Sequence, residues 1–458
     1  MPGSLGIHFG NEFLRMAESA DGGASKSVPS PQRQEYRTPC AVGVRDRSLW
    51  GWEALEAPND LVCDLRKRLC DVAAEQADWS LTSVHQWAAQ FFDQLGMSLA
   101  ELPGPEGGTG VALTVPYTMG LRQRVWLRDA VEEAGLRNAA LINDPEAAVL
   151  GYGLDRSLDR DRAIPVLVLD VGACDTVASV LELRVSDAGF TIDLLAYDRE
   201  AEGVRSIQAR VLADAGFHLS PSLPPVFQLE WEQFEGALRQ AASGQDYAFD
   251  TRQGPLTLRG ESVAKAIAAW RDAAREGIRR ALARAGLQRQ DIRYAIPAGG
   301  GCGIPEVEQV IRGIPRPKLA EGVGADEVCA LGAARYAALR VRANGPPRFR
   351  SAEWPAIGLE TRGGGFDPVL DINHSEGVPS CRVYVAGDAA ADTMYLIPRQ
   401  GFARRAECNE RLREEPIELG LPWAGCMVKA EAVRQPDCSI TLTLSVGDAA
   451  REVTLQAK

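Results

Sequence analysis

The sequence predicts a large α/β domain over residues 1–340, a linker over 341–356 and a small all-β domain over 357–458. Three observations predict it. Two strand–glycine–strand hairpins, GIHFGN and LDVGAC, lie about 160 residues apart. A glycine-rich turn, AGGGCGIP, opens a helix later in the same half. Beyond Ile357 the pattern changes to short alternating strands separated by turns, the signature of a β module.

The elements follow in order. LGIHFGNEFLRMAE reads as strand, tight turn at Gly10, strand. VALTVP, residues 111–116, reads as a buried strand stopped by Pro116. From Gly120 to Ala134, Leu121, Val125, Leu127 and Val131 recur with helical spacing. In LINDPEAAVLGYGL, Asp144 reads as an N-cap, Pro145 as the first helical residue, and Gly151 and Gly153 as the stop. PVLVLDVGACDTVASVLEL repeats the shape of the first hairpin. A long amphipathic helix is expected from about Glu261 to Ala285, with Val263, Ile267, Trp270, Ala274, Ile278 and Ala281 on its apolar stripe. YAIPAGGGCGIPEVEQVI then gives strand, turn and helix, and ADEVCALGAARYAALRV the last helix of this half. The stretch VRANGPPRFRSAEWPA shifts to Pro, Arg and Gly and suits a linker. CRVYVAG, TMYLIP, PIELGLP, MVKAEAV, SITLTLSVG and REVTLQA are the expected strands of the β module.

Bulk properties exclude several classes. At 458 residues the chain exceeds one hydrophobic core of ~250–300 residues. Its 45% apolar and 24% charged content are those of an ordinary globular protein. A net charge of −12 argues against non-specific nucleic-acid binding and against docking on anionic membrane. The ten cysteines include no C-x-x-C pair and histidines number only four, so neither a zinc site nor a disulfide framework is expected. MPGSLGIHFG lacks the basic and apolar segments of a signal peptide, and no apolar run approaches the ~18 residues of a membrane span. A cytoplasmic location is the expectation.

Each glycine turn can aim backbone N–H groups at a phosphate, because a missing Cβ allows close approach. Singly, each is as well explained as an ordinary tight turn. The three in this order, with NDPEAA between the hairpins, are more specific, and the chain resembles the seventy-kilodalton heat-shock chaperones. ALTVPYTMGLRQRVWLRDAVEEAGLRNAALINDPEAAVLGYGLD is similar to that family's connecting stretch. LVCDLRKRL resembles the segment with its catalytic lysine, FEGALRQAASG an adenosine-contacting helix, AIPAGGGCGIPEV and GADEVCALGAARYAA the closing nucleotide motif, and IGLETRGGG the opening of its substrate-binding β domain. The resemblance implies an actin-like ATPase fold, two lobes with ribonuclease-H-like sheets, followed by a small all-β sandwich. It also implies ATP or ADP and Mg²⁺ as ligands, client polypeptide as partner, and co-chaperones.

Carried over residue by residue, the resemblance places Lys67 as the lysine orienting the attacking water, Asp144 as an acid near that water, and Asp170 as the metal-facing aspartate. Nucleotide contacts are implied for Gly6, His8, Gly10 and Asn11 in the first hairpin, and for Gly172 and Ala173 in the second, with Gly203 after it. Glu235 and Arg239 fall on ribose contacts, Gly299, Gly300 and Gly301 on the base-and-sugar turn, and Asp326 on a nearby acid. Plain alternatives stand beside these: a surface lysine in an RKR cluster, helix caps at Asp144 and Asp326, and a solvated i,i+4 pair at Glu235 and Arg239.

The departures are at the chemistry. His8, Asn11 and Glu12 stand where the family has an aspartate and two threonines. A neutral imidazole does not hold hydrated Mg²⁺ as a carboxylate does. Ala173, Cys174 and Asp175 replace Gly-Gly-Thr. Like charges about 5 Å apart cost roughly 3 kcal/mol at an effective dielectric near 20, so Glu12 or Asp175 facing a triphosphate is expected to lower affinity. Gly303 stands for an adenine-stacking arginine and Leu238 for a lysine. Arg342, Arg348 and Arg350 stand where the family couples its domains through a short acidic-then-leucine run, and no helical lid is expected after the β module. The subdomain between Ala215 and Leu287 is expected to be short, which puts exchange-factor docking in doubt. Three readings follow: a chaperone binding adenine nucleotide with weak or absent hydrolysis, a pseudo-ATPase scaffold without nucleotide, and a small-molecule kinase. The kinase lacks an evident substrate aspartate and has no place for the β module.

Overall fold

The structure is a computed structural model describing residues 4–20, 22–57, 60–71, 81–101, 110–136, 138–157, 162–186, 189–217, 231–251, 254–304, 306–317, 323–341, 349, 351–372, 374–385, 393–420 and 426–456. Arg342, Arg348 and Arg350 therefore lie outside the described residues.

The first lobe is built on β1 (Ser4–Phe9), β2 (Phe13–Ser19), β3 (Ser25–Val28), β4 (Val111–Val115) and β5 (Ala139–Asn143), in the order β3-β2-β1-β4-β5. β1 and β2 pair antiparallel from Ser4↔Ser19 to Phe9↔Leu14, and β1, β4 and β5 run parallel. Strand alternation assigns the faces of β1. Ile7 and Phe9 are fully buried on one side, where Phe9 meets Phe92 at 5.2 Å between ring centroids. Phe92 lies on the helix Leu81–Glu101.

The second lobe has β6 (Ile164–Val171), β7 (Thr176–Ser186), β8 (Gly189–Glu200) and β9 (Tyr294–Ala298), ordered β8-β7-β6-β9. β9 runs parallel to β6 and sets Ala298 beside Asp170 at their carboxyl ends. Trp270, on the long helix Gly260–Ala285, is fully buried and donates its indole N–H to Thr176 at 2.9 Å, fixing the second hairpin to that helix.

Two helices lie between the sheets: α1 (Asp144–Gly151), packed on β6 and β9, and α2 (Val328–Val341), packed on β1, β2 and β4. They touch backbone to backbone. A Cβ on Gly332 would sit 1.8 Å from the Ala147 carbonyl oxygen, and one on Gly151 2.2 Å from that of Val328. Gly6 serves the same contact: its Cβ would fall 2.0 Å from Ala334 N. These alanine- and glycine-rich helices have the composition they need to cross at such close range.

The C-terminal part has two four-stranded sheets. One is ordered Gly365–Leu370, Ala356–Thr361, Pro398–Gly401, Glu410–Arg411; the other Ser380–Val385, Met427–Arg434, Ser439–Val446, Ala449–Gln456. Ile357, Leu359, Val428, Ala430, Ile440, Leu442 and Leu444 fill the space between them. The strands at Gly365–Leu370 and Pro398–Gly401 were not among the expected ones; each contains a proline, which cannot donate to the sheet ladder.

The segment before this module packs on the α/β part. Phe349 stacks edge-on against Tyr336 at 5.6 Å, and Ser351 N donates to the Tyr336 hydroxyl at 3.3 Å. Asn143 donates to the Ala352 carbonyl at 3.0 Å, and the fully buried Arg124 donates to that of Glu353 at 3.0 Å. Glu146, on α1, accepts from the Ser351 hydroxyl, from Tyr117 at 3.0 Å and from Asn143 at 3.0 Å. The β module adds Arg404 to Asp193 at 3.1 Å and Phe402 against Tyr117 at 5.3 Å.

Candidate functional site

A cavity of about 450 Å³ opens between the lobes, in the size range of small-molecule sites. It lies outside the carboxyl ends of β6 and β9, where open α/β sheets place their ligands. The two hairpins and the glycine-rich turn all reach it.

Of the residues singled out in the sequence, His8, Gly10, Asn11, Asp170, Gly172, Ala173, Arg239, Gly299, Gly300, Gly301 and Asp326 line this cavity. Gly299 has φ 88°, and a Cβ there would meet Asp170 Oδ1 at 2.4 Å. Gly300 and Gly303 face open space, so side chains there would project without contact. One end of the cavity is apolar, with Leu238, Ala242, Ile267 and Ile304; the other is polar and charged.

Four residues lie elsewhere. Gly6 is on the side of β1 that packs against α2. Gly203 packs under the second hairpin, where its Cβ would be 2.5 Å from the Ala173 carbonyl oxygen. Lys67 and Asp144 line a smaller adjoining cavity of about 50 Å³ instead, shared with Asp170 and Asp175. Arg239 is exposed, and the side chain of Glu235 lies outside the described residues.

The basic residue that enters the cleft is Arg66. It belongs to the helix Leu65–Asp71, where Leu65, Arg66 and Leu69 share the buried face. Arg66 donates from Nη1 to the Phe9 carbonyl at 2.8 Å and from Nη2 to Asp144 Oδ2. Asp144 is consequently not the helix cap that the sequence suggested. The cap position is Asn143, and the Asp144 carboxylate is drawn to the guanidinium instead. Burial alone would raise the Asp144 carboxyl, but the Arg66 charge and the His8 contact outweigh it and hold it well below the usual range. Burial lowers the His8 pKa, so the imidazole is neutral at pH 7; its Nδ1 is 2.8 Å from Thr114 Oγ1 and 3.6 Å from Asp144 Oδ1. Asp170 is pushed up to about 7 by burial and by the Asp144 charge.

The carboxylates expected to repel phosphate are neutralised by arginines. Glu12 accepts from Arg205 Nε at 2.6 Å, and the same guanidinium reaches Asp64, at 2.9 Å from Nη1 to Oδ2. Arg205 stands at the start of the helix Val204–Asp214 of the second lobe, so this cluster ties the lobes together. Asp175 pairs with Arg199 at 2.6 Å, and Asp326 with Arg15 at 2.8 Å rather than capping α2. None of these arginines belongs to a glycine motif, which is why motif reading passed them over. Arg66 had a signal: the 65–69 spacing of the two leucines places it, not Lys67, beside the buried face.

A family model described as Hsp70 protein matches residues 70–204 and 261–381, more than half of the chain. The chain belongs to the Hsp70 family. A chaperone protein DnaK of Stenotrophomonas maltophilia (strain R551-3) is 28% identical over 339 residues, covering 69% of this chain and 52% of that protein. The chain thus spans about half the length of that curated relative. Hsp70 membership brings the actin-like ATPase fold, and the two lobes and β module described above agree with it. Between the matched stretches lie all but the first residue of the helix Val204–Asp214, the helix Trp231–Ala241 and the hairpin Tyr247–Thr251/Gly254–Leu258. No helix among the described residues is long and apolar enough to cross a membrane.

Hsp70 proteins take nucleotide with Mg²⁺, and this chain fits the two unequally. The glycine-lined floor and apolar end suit a nucleoside. The donor set does not suit Mg²⁺, which needs hard oxygen ligands. His8 offers a nitrogen, Asp144 is engaged by a guanidinium, and that cation sits in electrostatic reach of Asp170. The described residues bring together no acidic, His or Cys group of three or more able to hold a metal.

Proposed function

We propose that this Hsp70-family protein holds an adenine nucleotide, ATP or ADP, in the interlobe cavity and a polypeptide segment on its β module, with weak or absent hydrolysis. The observation that carries the reading is the cavity itself: apolar at one end, arginine-rich at the other, and floored by glycines of which Gly300 and Gly303 face open space. Slow chemistry is supported by Lys67 lining the smaller cavity and by the neutral His8. Polypeptide contact is supported by Ser380–Val385, a sheet-edge strand, with Val383 and Val385 exposed on one face and Met427 opposite Val385. An open edge can accept an added strand.

Calorimetric titration with ATP and ADP tests the nucleotide half, with Gly300→Leu as the control that fills the cavity. Micromolar binding lost in Gly300→Leu supports the reading. No heat at millimolar nucleotide, with folded protein, sinks it. The scaffold reading would then stand, favoured by Arg205 already joining the lobes through Glu12 and Asp64.

A further inference from the structure

We infer that the Arg66 guanidinium takes the place of a divalent cation at the polar end of the cleft, so that the cavity binds its nucleotide as the metal-free anion. The inference rests on the nucleotide reading above and sharpens it to a ligand class: adenosine di- or triphosphate without bound metal.

The geometry carries it. Arg66 is almost fully buried, lines the cavity and is anchored at both amino groups, to the Phe9 carbonyl and to Asp144. Those two bonds use two of the five N–H donors of a guanidinium; the remaining three have no protein acceptor among the described residues. An anchored guanidinium with spare donors is a built phosphate ligand, since its planar fork matches two oxygens. Asn11 adds a second observation. Its Oδ1 is buried in the cavity wall without a hydrogen-bond partner, and an amide can turn either its oxygen or its NH₂ to a ligand.

Charge pairing points the same way. Asp144 pairs with Arg66, Glu12 with Arg205, Asp175 with Arg199 and Asp326 with Arg15. Four of the cleft carboxylates are therefore matched by fixed cations; Asp170 has no such partner, and burial with the Asp144 charge holds its proton up to about 7. A divalent ion entering here would displace a guanidinium from its carboxylate or sit beside it. A phosphate meets a positive group already in position.

The experiment is calorimetric titration of ADP into the full chain, in excess EDTA and in excess Mg²⁺. It is done with wild type, Arg66→Lys, and the charge-balanced double variant Arg66→Gln/Asp144→Asn, each shown to be folded by circular dichroism. Wild-type affinities within about threefold of each other in the two buffers are expected. In EDTA the double variant is expected to bind at least about tenfold more weakly, the loss of a charge-assisted pair, and Arg66→Lys to fall between. Wild-type binding that EDTA weakens more than about tenfold overturns the inference and leaves the nucleotide reading standing. A double variant that binds as wild type does overturns the role of Arg66. No binding in either buffer overturns both readings together.

Discussion

Arg205 and Glu12 belong to opposite lobes and meet at 2.6 Å, with Asp64 completing the cluster on the first lobe. Glu12 is 8% exposed, so the pair is shielded from bulk water and from salt. Its partners come from three separate segments: the first hairpin, the turn before the helix Leu65–Asp71, and the helix that follows the second hairpin.

Removing one side of this cluster strands buried charge. Arg205→Ala is expected to destabilise the protein by about 3 kcal/mol, because two carboxylates lose their counter-ion. Arg205→Met/Glu12→Gln should recover most of that. Urea unfolding midpoints decide it; a single variant as stable as wild type would show that the lobes are held together by other means.

Stability should carry an imprint of Asp170. Its folded pKa of about 7 lies above the ~3.9 of a free aspartate. Between the two, the folded chain keeps a proton that the unfolded chain releases, so stability falls as pH rises through this window, and the penalty is complete above it. Asp170→Asn removes the penalty. A gain on the order of 4 kcal/mol is expected near pH 8 and almost none near pH 4. An equal gain at both pH values in denaturant melts would refute the assignment.

The crossing of α1 and α2 tolerates no side chain at Gly332, where a Cβ would lie 1.8 Å from the Ala147 carbonyl oxygen. Gly332→Val is expected to cost at least about 3 kcal/mol through overpacking. Gly300→Val, facing open space, should leave stability within about 0.5 kcal/mol. Thermal melts of both separate a packing glycine from a cavity glycine.

Asn143 joins the docked segment to the core, accepting from Arg124 at 2.7 Å and donating to Glu146 and Ala352. Asn143→Ala should cost about 2–3 kcal/mol by leaving Arg124 and Glu146 short of partners. Faster amide exchange is expected around Ser351–Glu353. Unchanged exchange there would mean that the contacts of Phe349 and Ser351, with the Arg124 bond to the Glu353 carbonyl, hold the segment without Asn143.

The family and fold class were legible because glycine turns punctuate the chain at the points where strands end, and turn chemistry is local. The polar end of the cleft was less legible. Arg66, Arg199, Arg205 and Arg15 act across long sequence separations, and an arginine on a helix or strand looks the same whether it faces solvent or a buried carboxylate. Lys67 drew attention through resemblance, yet one residue is about 100° of helix rotation, enough to exchange a cleft position for the neighbouring one. Gly6 and Gly203 read as ligand glycines, and the structure gives them to backbone packing, a distinction that depends on what lies opposite. The strands at Gly365–Leu370 and Pro398–Gly401 were hidden by prolines that the sheet accommodates.

Asp144 and Glu146 are two residues apart on α1 and face different business. The first is gripped by Arg66 in the cleft, and the second holds Ser351 at the root of the β module. A single helical turn thus spans what would otherwise be two distant compartments. The helix has no slack, because its backbone already touches α2 at Gly332. Any change that moves Asp144 with the helix intact also moves Glu146, so the grip of Arg66 and the hold on Ser351 are set by one rigid element.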